Sequence, residues 1–151
     1  MRRLINKFGS RRGHAVIEFA MSWAVLVPVF AGTFQYGYTF LVYDTLQSAV
    51  RGGARYASMR TYDSSNSTPS TAFTTAVRNM VVYGNTAGTG SPVVSGLGVA
   101  NVEVVPTMVG AIPQTMTVRI TNFSVNAIFA TTTFNSKPST TFSYTGRPAP
   151  E

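Results

Sequence analysis

The sequence has no cysteine. That excludes disulfides, cysteine-ligated zinc, iron–sulfur clusters and thiol catalysis. It has one histidine, His14. A histidine metal cluster is therefore excluded, and a Ser-His-Asp triad has almost no room. Charge is scarce too. Only 11% of residues are charged, against about a quarter in an ordinary soluble domain, while apolar content is a normal 44%. This balance suits a membrane-associated or exported protein better than a cytosolic one. There is no internal repeat and no nucleotide-binding glycine loop, and Gly88-Thr-Gly90 reads as a plain turn.

The charge that is present is unevenly placed. The net value is +7, yet five of the twelve basic residues (Arg2, Arg3, Lys7, Arg11 and Arg12) stand in the first thirteen positions with no acid among them. The other positions hold seven basic and five acidic residues, a net of about +2. The chain is a basic tip on a nearly neutral body, so no nucleic-acid surface is expected on that body. The length of 151 residues allows one domain with a modest core.

From Phe19 to Tyr43 run 25 residues without a charge, FAMSWAVLVPVFAGTFQYGYTFLVY. As a helix the run reaches about 38 Å, and a bilayer core is about 30 Å thick, so it can span with some tilt. Trp23, Tyr36, Tyr38 and Tyr43 are residues of membrane–water interfaces, and the basic tip predicts a cytoplasmic N-terminus. Pro28 removes one backbone hydrogen bond and predicts a kink or a locally melted turn, though proline and glycine are also common in membrane helices. A cleaved signal peptide ending at Ala31 is the rival reading. Glu18 at the start of the apolar run, and the dozen apolar residues past the cut, both oppose it.

The helical pattern continues through D44-TLQSAVRGGARYASMR-60. Gly52, Gly53, Ala54 and Ala57 form a stripe of small residues that would let another helix approach closely. Arg51, Arg55 and Arg60 fall on another face, either solvated or available to pair with an acid such as Asp44 of a neighbouring subunit. Residues 61–70 read as a polar loop, and a second helix is expected from about Ser70 to Tyr83, capped by Ser70 or Thr71. After a Gly/Ser/Thr-rich loop, alternation predicts strands over 99–105 and over 115–122, with Pro106, Gly110 and Pro113 in the connection between them, and Phe134 with Thr140 to Thr145 suggests a third. The predicted fold class is α+β. A long N-terminal membrane helix (14–60, span about 19–43) leads into a small head (61–151) with a short helix and about three antiparallel strands. In the head, Asp63, Glu103 and Glu151 form no close carboxylate pair, and no nucleophile–base set is visible, so no enzyme, cofactor, metal or small-molecule substrate is expected.

Residues 13–19, GHAVIEF, have a basic leader before them and an apolar helix after them. They resemble the processing site of type IV pilin-like proteins. Together with Leu26-Val-Pro28-Val and the series from Tyr43 to Ala57, they resemble the TadE-like family of the tight-adherence (type IVc) pilus, over about Arg11 to Ala57. The resemblance implies a minor pilin or pseudopilin. It implies cleavage by a prepilin peptidase between Gly13 and His14, with Gly13, His14, Glu18 and Phe19 as the processing site. Other pilin subunits, the pilus-assembly machinery and the lipid bilayer are the implied partners. The implied location is the inner membrane with the head outside, or the extracellular pilus after processing. Glu18 would then pair with the new amine of a neighbouring subunit and set the axial register. Pro28 lies earlier than the helix-breaking proline of longer type IV pilins, which leaves filament geometry open. The alternative is a single-pass membrane protein whose periplasmic head binds a partner and never enters a pilus.

Overall fold

The computed structural model describes residues 9–127 and 129–147. Most of the basic leader and Glu151 lie outside these. The first element, α1, is one uninterrupted helix of 51 residues, Gly9–Met59. It carries Pro28 without a break, so the expected melted turn does not form. A single missing N–H costs a helix one bond, the one to the Ala24 carbonyl, and the helical turns on either side persist. Ser22 donates to Glu18 O and Thr33 to Val29 O, both at 2.9 Å. From Gly13 to Met59 the helix is long and apolar enough to cross a membrane.

Helix α2 covers Thr71–Tyr83. Ser70 caps it, accepting from Phe73 N at 3.0 Å, which satisfies an N–H that has no carbonyl one turn earlier. Gly84 ends it in the left-handed conformation, φ 71°, where glycine carries no steric penalty. A short 3₁₀ turn, Val99–Asn101, then leads into the strands.

The strands form two antiparallel sheets. β1 (Val102–Val109), β2 (Ile112–Ile120) and β5 (Ser139–Ser143) make the larger, in the order β1-β2-β5. β3 (Phe123–Asn126) and β4 (Thr131–Phe134) make a separate hairpin. In β1 and β2 the buried residues alternate as their pattern predicts, with Val102 and Val104 facing Met116, Val118 and Ile120 in the core. The connection is tighter than expected. Only Gly110 and Ala111 turn the chain, and Pro106 and Pro113 lie inside strands. Proline is tolerated there because β1 is an edge strand, and Pro113 lies outside the part of β2 that pairs with β5.

The core sits between the upper part of α1, α2 and the larger sheet. Its contributors from α1 are Val42, Leu46, Val50, Ala54 and Ala57, at three- and four-residue spacing. Phe73, Val77, Val81 and Val82 come from α2. The chain then ties its last described residues across the upper end of α1. Thr145 N and Gly146 N donate to Ser58 O at 2.9 and 3.0 Å. This supplies a donor to one of the carbonyls that every helix C-terminus leaves without an internal partner.

Candidate functional site

Helix α1 divides into two lengths. Every residue from Gly13 to Phe30 is exposed, including Val16, Ile17, Phe19, Trp23, Leu26 and Phe30. From Gln35 upward, the side chains at 35, 39, 42, 46 and 50 turn towards the head and are half-buried or buried. An exposed apolar helix of this length is costly in water and requires another medium, either lipid or other helices.

The residues of the expected processing site lie on the exposed length. His14, Ile17, Glu18, Met21 and Ser22 line one shallow groove along the helix surface. His14 and Glu18 are four residues apart, so they are neighbours on one face. Phe19 packs edge-on against Trp23, ring centroids 6.0 Å apart, on the adjacent face. Gly13 is helical, and a Cβ added there would meet open space. A protease cutting at the expected site would have to unwind this turn first, and glycine makes unwinding easier by about 1 kcal/mol relative to alanine.

The small-residue stripe has a different address for each member. Ala54 and Ala57 are fully buried. Gly53 faces α2, where a Cβ would collide with Val81 Cγ2 and stand 3.7 Å from Val77 O. Gly52, expected on the same packing face, instead points outward with nothing within 4 Å. Adjacent residues on a helix are about 100° apart, so two neighbouring glycines cannot share one contact. Within the chain the approaching helix is α2.

The arginines are also separated. Arg51 and Arg55 are exposed and border a shallow surface with Ser48, Gly52 and Phe142. Arg60 donates to Tyr56 Oη at 2.9 Å and lies 5.7 Å from the Phe73 ring centroid. Among the described residues the salt bridge is Arg119–Glu103, a two-bond pair at 2.8 and 2.9 Å across β1 and β2. Its hydrogen bonds, more than its charge, hold the Glu103 carboxyl below the usual carboxylate range. Asp63 accepts from Ser70 N and Ser70 Oγ, bracing the 61–70 loop against the start of α2.

Two arrangements have no counterpart in the sequence reading. The first is the tyrosine pair Tyr62 and Tyr144. Tyr144 Oη accepts from Tyr62 N at 2.8 Å and lies 2.9 and 2.7 Å from the carbonyl oxygens of Arg60 and Arg147, to one of which it donates. Burial pushes both phenols above their ordinary value. The second is Gln35. Its Nε2 donates to Ala130 O at 2.9 Å and its Oε1 accepts from Phe129 N at 3.1 Å. Both ends of one side-chain amide are used by the backbone between β3 and β4. A lone glutamine in an apolar run was the available signal, since a buried amide needs partners.

These features describe a helix with a free apolar length, a carboxylate near its start, and an upper length clasped by a head. Residues 13–55 match the TadE-like protein family. The resemblance read over Arg11 to Ala57 is thus borne out over nearly all its length. No curated protein and no solved structure matches the chain. The TadE-like segment begins at Gly13, includes the whole exposed length of α1 and ends within the small-residue stripe. None of the head belongs to it.

Proposed function

We propose that the protein is a minor pilin or pilus-assembly component of a tight-adherence pilus. A prepilin peptidase processes it after Gly13, and it has no catalytic activity of its own. The observation that carries this reading is a coincidence of position. The TadE-like match starts at Gly13, five residues before the one acid at the mouth of an exposed apolar helix. Before processing, the chain waits in the inner membrane with its N-terminus in the cytoplasm and its head outside. The basic leader favours that orientation.

Cleavage changes the physics of the free length. It removes five positive charges and creates an α-amino group at His14. A carboxylate in an apolar medium is costly without a partner. In the mature chain Glu18 lies in the first turns of the helix, where the macrodipole favours an acid. Against a second subunit it pairs with that subunit's new amine, which fixes the axial offset between helices. The chemistry is an exchange of lipid for neighbouring helices.

The mass of the protein recovered from its native host tests the processing step. A chain beginning at His14 is the expected result, and an intact leader would return the protein to the class of ordinary single-pass receptors. Glu18→Ala should be inserted and cut normally but be missing from fibres. Normal incorporation of that variant would remove the register role.

A further inference from the structure

The head does not stop at the upper half of α1. The β3–β4 hairpin runs down beside the helix. Phe123 and Phe134 stack at its upper end, 6.5 Å apart, with Tyr43 against Phe134 at 5.8 Å. Its tip reaches Gln35. From Tyr43 to Gln35 the helix descends about 12 Å, and four strand residues cover about the same distance. The residues between the two strands are Ala-Ile-Phe-Ala, without a polar side chain. Phe129 stands 66% exposed at this tip.

We propose that this tip is a second membrane contact, seated in the lipid interface beside α1 and held there by Gln35. The inference rests on α1 being a membrane helix and goes beyond its processing. Three observations converge on it. An apolar tip and an exposed phenylalanine lie at the level where the helix changes from wholly exposed to clasped. Strand edges cannot enter hydrocarbon, because unpaired backbone groups find no partner there. An outer boundary at Tyr43 would drag the hairpin about 12 Å into that region, whereas a boundary at Gln35 leaves only the tip in contact. Finally, a bilayer core of about 30 Å measured down from Gln35 ends near Ala15. That puts the Gly13–His14 bond at the inner surface and Glu18 about one turn inside it, within reach of water. The tip and the glutamine act together as a stop that fixes how far the helix enters the bilayer.

The chain has no cysteine, so a single introduced thiol can be labelled without further change. Full-length Phe129→Cys, Phe30→Cys and Val109→Cys would each carry an environment-sensitive fluorophore in phosphatidylcholine–phosphatidylglycerol vesicles. Nitroxide lipids labelled near the headgroup would be the quencher. Position 30 lies below Gln35 on the helix, and position 109 lies at the turn between β1 and β2, at the other end of the head. The expected result is loss of emission at 30 and at 129, and none at 109. Gln35→Leu should abolish the loss at 129 and leave that at 30. Quenching at 30 with none at 129 overturns the proposal, as does a label at 129 that is shielded only in assembled fibres, which would assign the tip to a neighbouring subunit. Absence of quenching at 30 would instead sink the membrane reading of α1.

Discussion

Two adjacent glycines in α1 should respond to the same substitution with opposite signs. Gly52→Ala adds a methyl group in open space. The helix gains about 1 kcal/mol, because alanine loses less backbone freedom on folding than glycine. Gly53→Ala gains the same amount and then meets Val81 Cγ2. Val81 is fully buried in the core. As a β-branched residue in a helix it has one strongly preferred rotamer. It must either leave that rotamer, at about 0.5–1.5 kcal/mol, or α2 must move away, and overpacking of this kind costs about 1–3 kcal/mol. The net result is a loss of about 1 kcal/mol, so the two variants should differ by about 2 kcal/mol.

The assay is urea unfolding of the full chain in mild detergent, followed by near-ultraviolet circular dichroism. The contact of Tyr62 with Phe73 and Tyr144, at centroid distances of 5.5 and 6.4 Å, supplies a signal from the packed head. A third background makes the test sharper. Val81→Ala removes the obstructing methyl, and in that background Gly53→Ala should stabilise rather than destabilise. If Gly53→Ala is as stabilising as Gly52→Ala in the otherwise unchanged chain, the close approach of α1 and α2 is refuted.

Tyr144→Phe should cost about 1–2 kcal/mol, because it takes a partner from the Tyr62 N–H and from one of the Arg60 and Arg147 carbonyls; the same urea titration measures it. Tyr62 keeps its bond to Arg147 O, which holds the effect below that of a wholly orphaned donor. Both phenols are raised by burial, so their contribution to stability is full below the ordinary tyrosine value near 10 and is lost as pH rises through the higher folded values. The unfolding midpoint should therefore fall as pH rises above about 10, and Tyr144→Phe should flatten that fall. At the other end, Glu103 contributes above the ordinary glutamate value and stops contributing as pH falls through its lowered folded value. Its pair with Arg119 is more than a third exposed on both sides, so Glu103→Gln should shift the midpoint little, and less still at high salt.

The helices and the larger sheet were legible because their signals are periodic. The three- and four-residue spacing of Leu46, Val50, Ala54 and Ala57, and the alternation of Val118 and Ile120 with Thr117 and Arg119, are each set by a face that must be buried. The β3–β4 hairpin was not legible. Its strands have four residues each, too few to establish a period. The residues between them include no glycine or proline to announce a turn. Proline misled for the opposite reason, since Pro106 looks like a strand breaker until β1 is known to lie at an edge. At the candidate site, Gly13 and Glu18 were legible by their spacing, and the pairing of Gln35 was not, because its partners are backbone groups 94 and 95 residues away.

That long-range pairing bears on how the helix can be used. From Gly13 to Phe30 the surface of α1 is exposed on all sides, Ala31 and Gly32 are already half-buried, and from Gln35 upward one side is committed to the head. In the proposed pilus role, a subunit can therefore offer a complete helical surface only over about residues 14–30, a length of about 25 Å. Above that, a neighbour can reach α1 only along the outward face that carries Arg51, Gly52 and Arg55. Gly52 allows close backbone approach on this face, and the two arginines beside it need acidic or aromatic partners if a second subunit excludes water from them. The first of the paired glycines is thus spare inside the chain and available between chains, whereas the second is already spent on α2. A Gly52→Ala variant that stabilises the isolated protein but weakens its association with other subunits would separate the two uses.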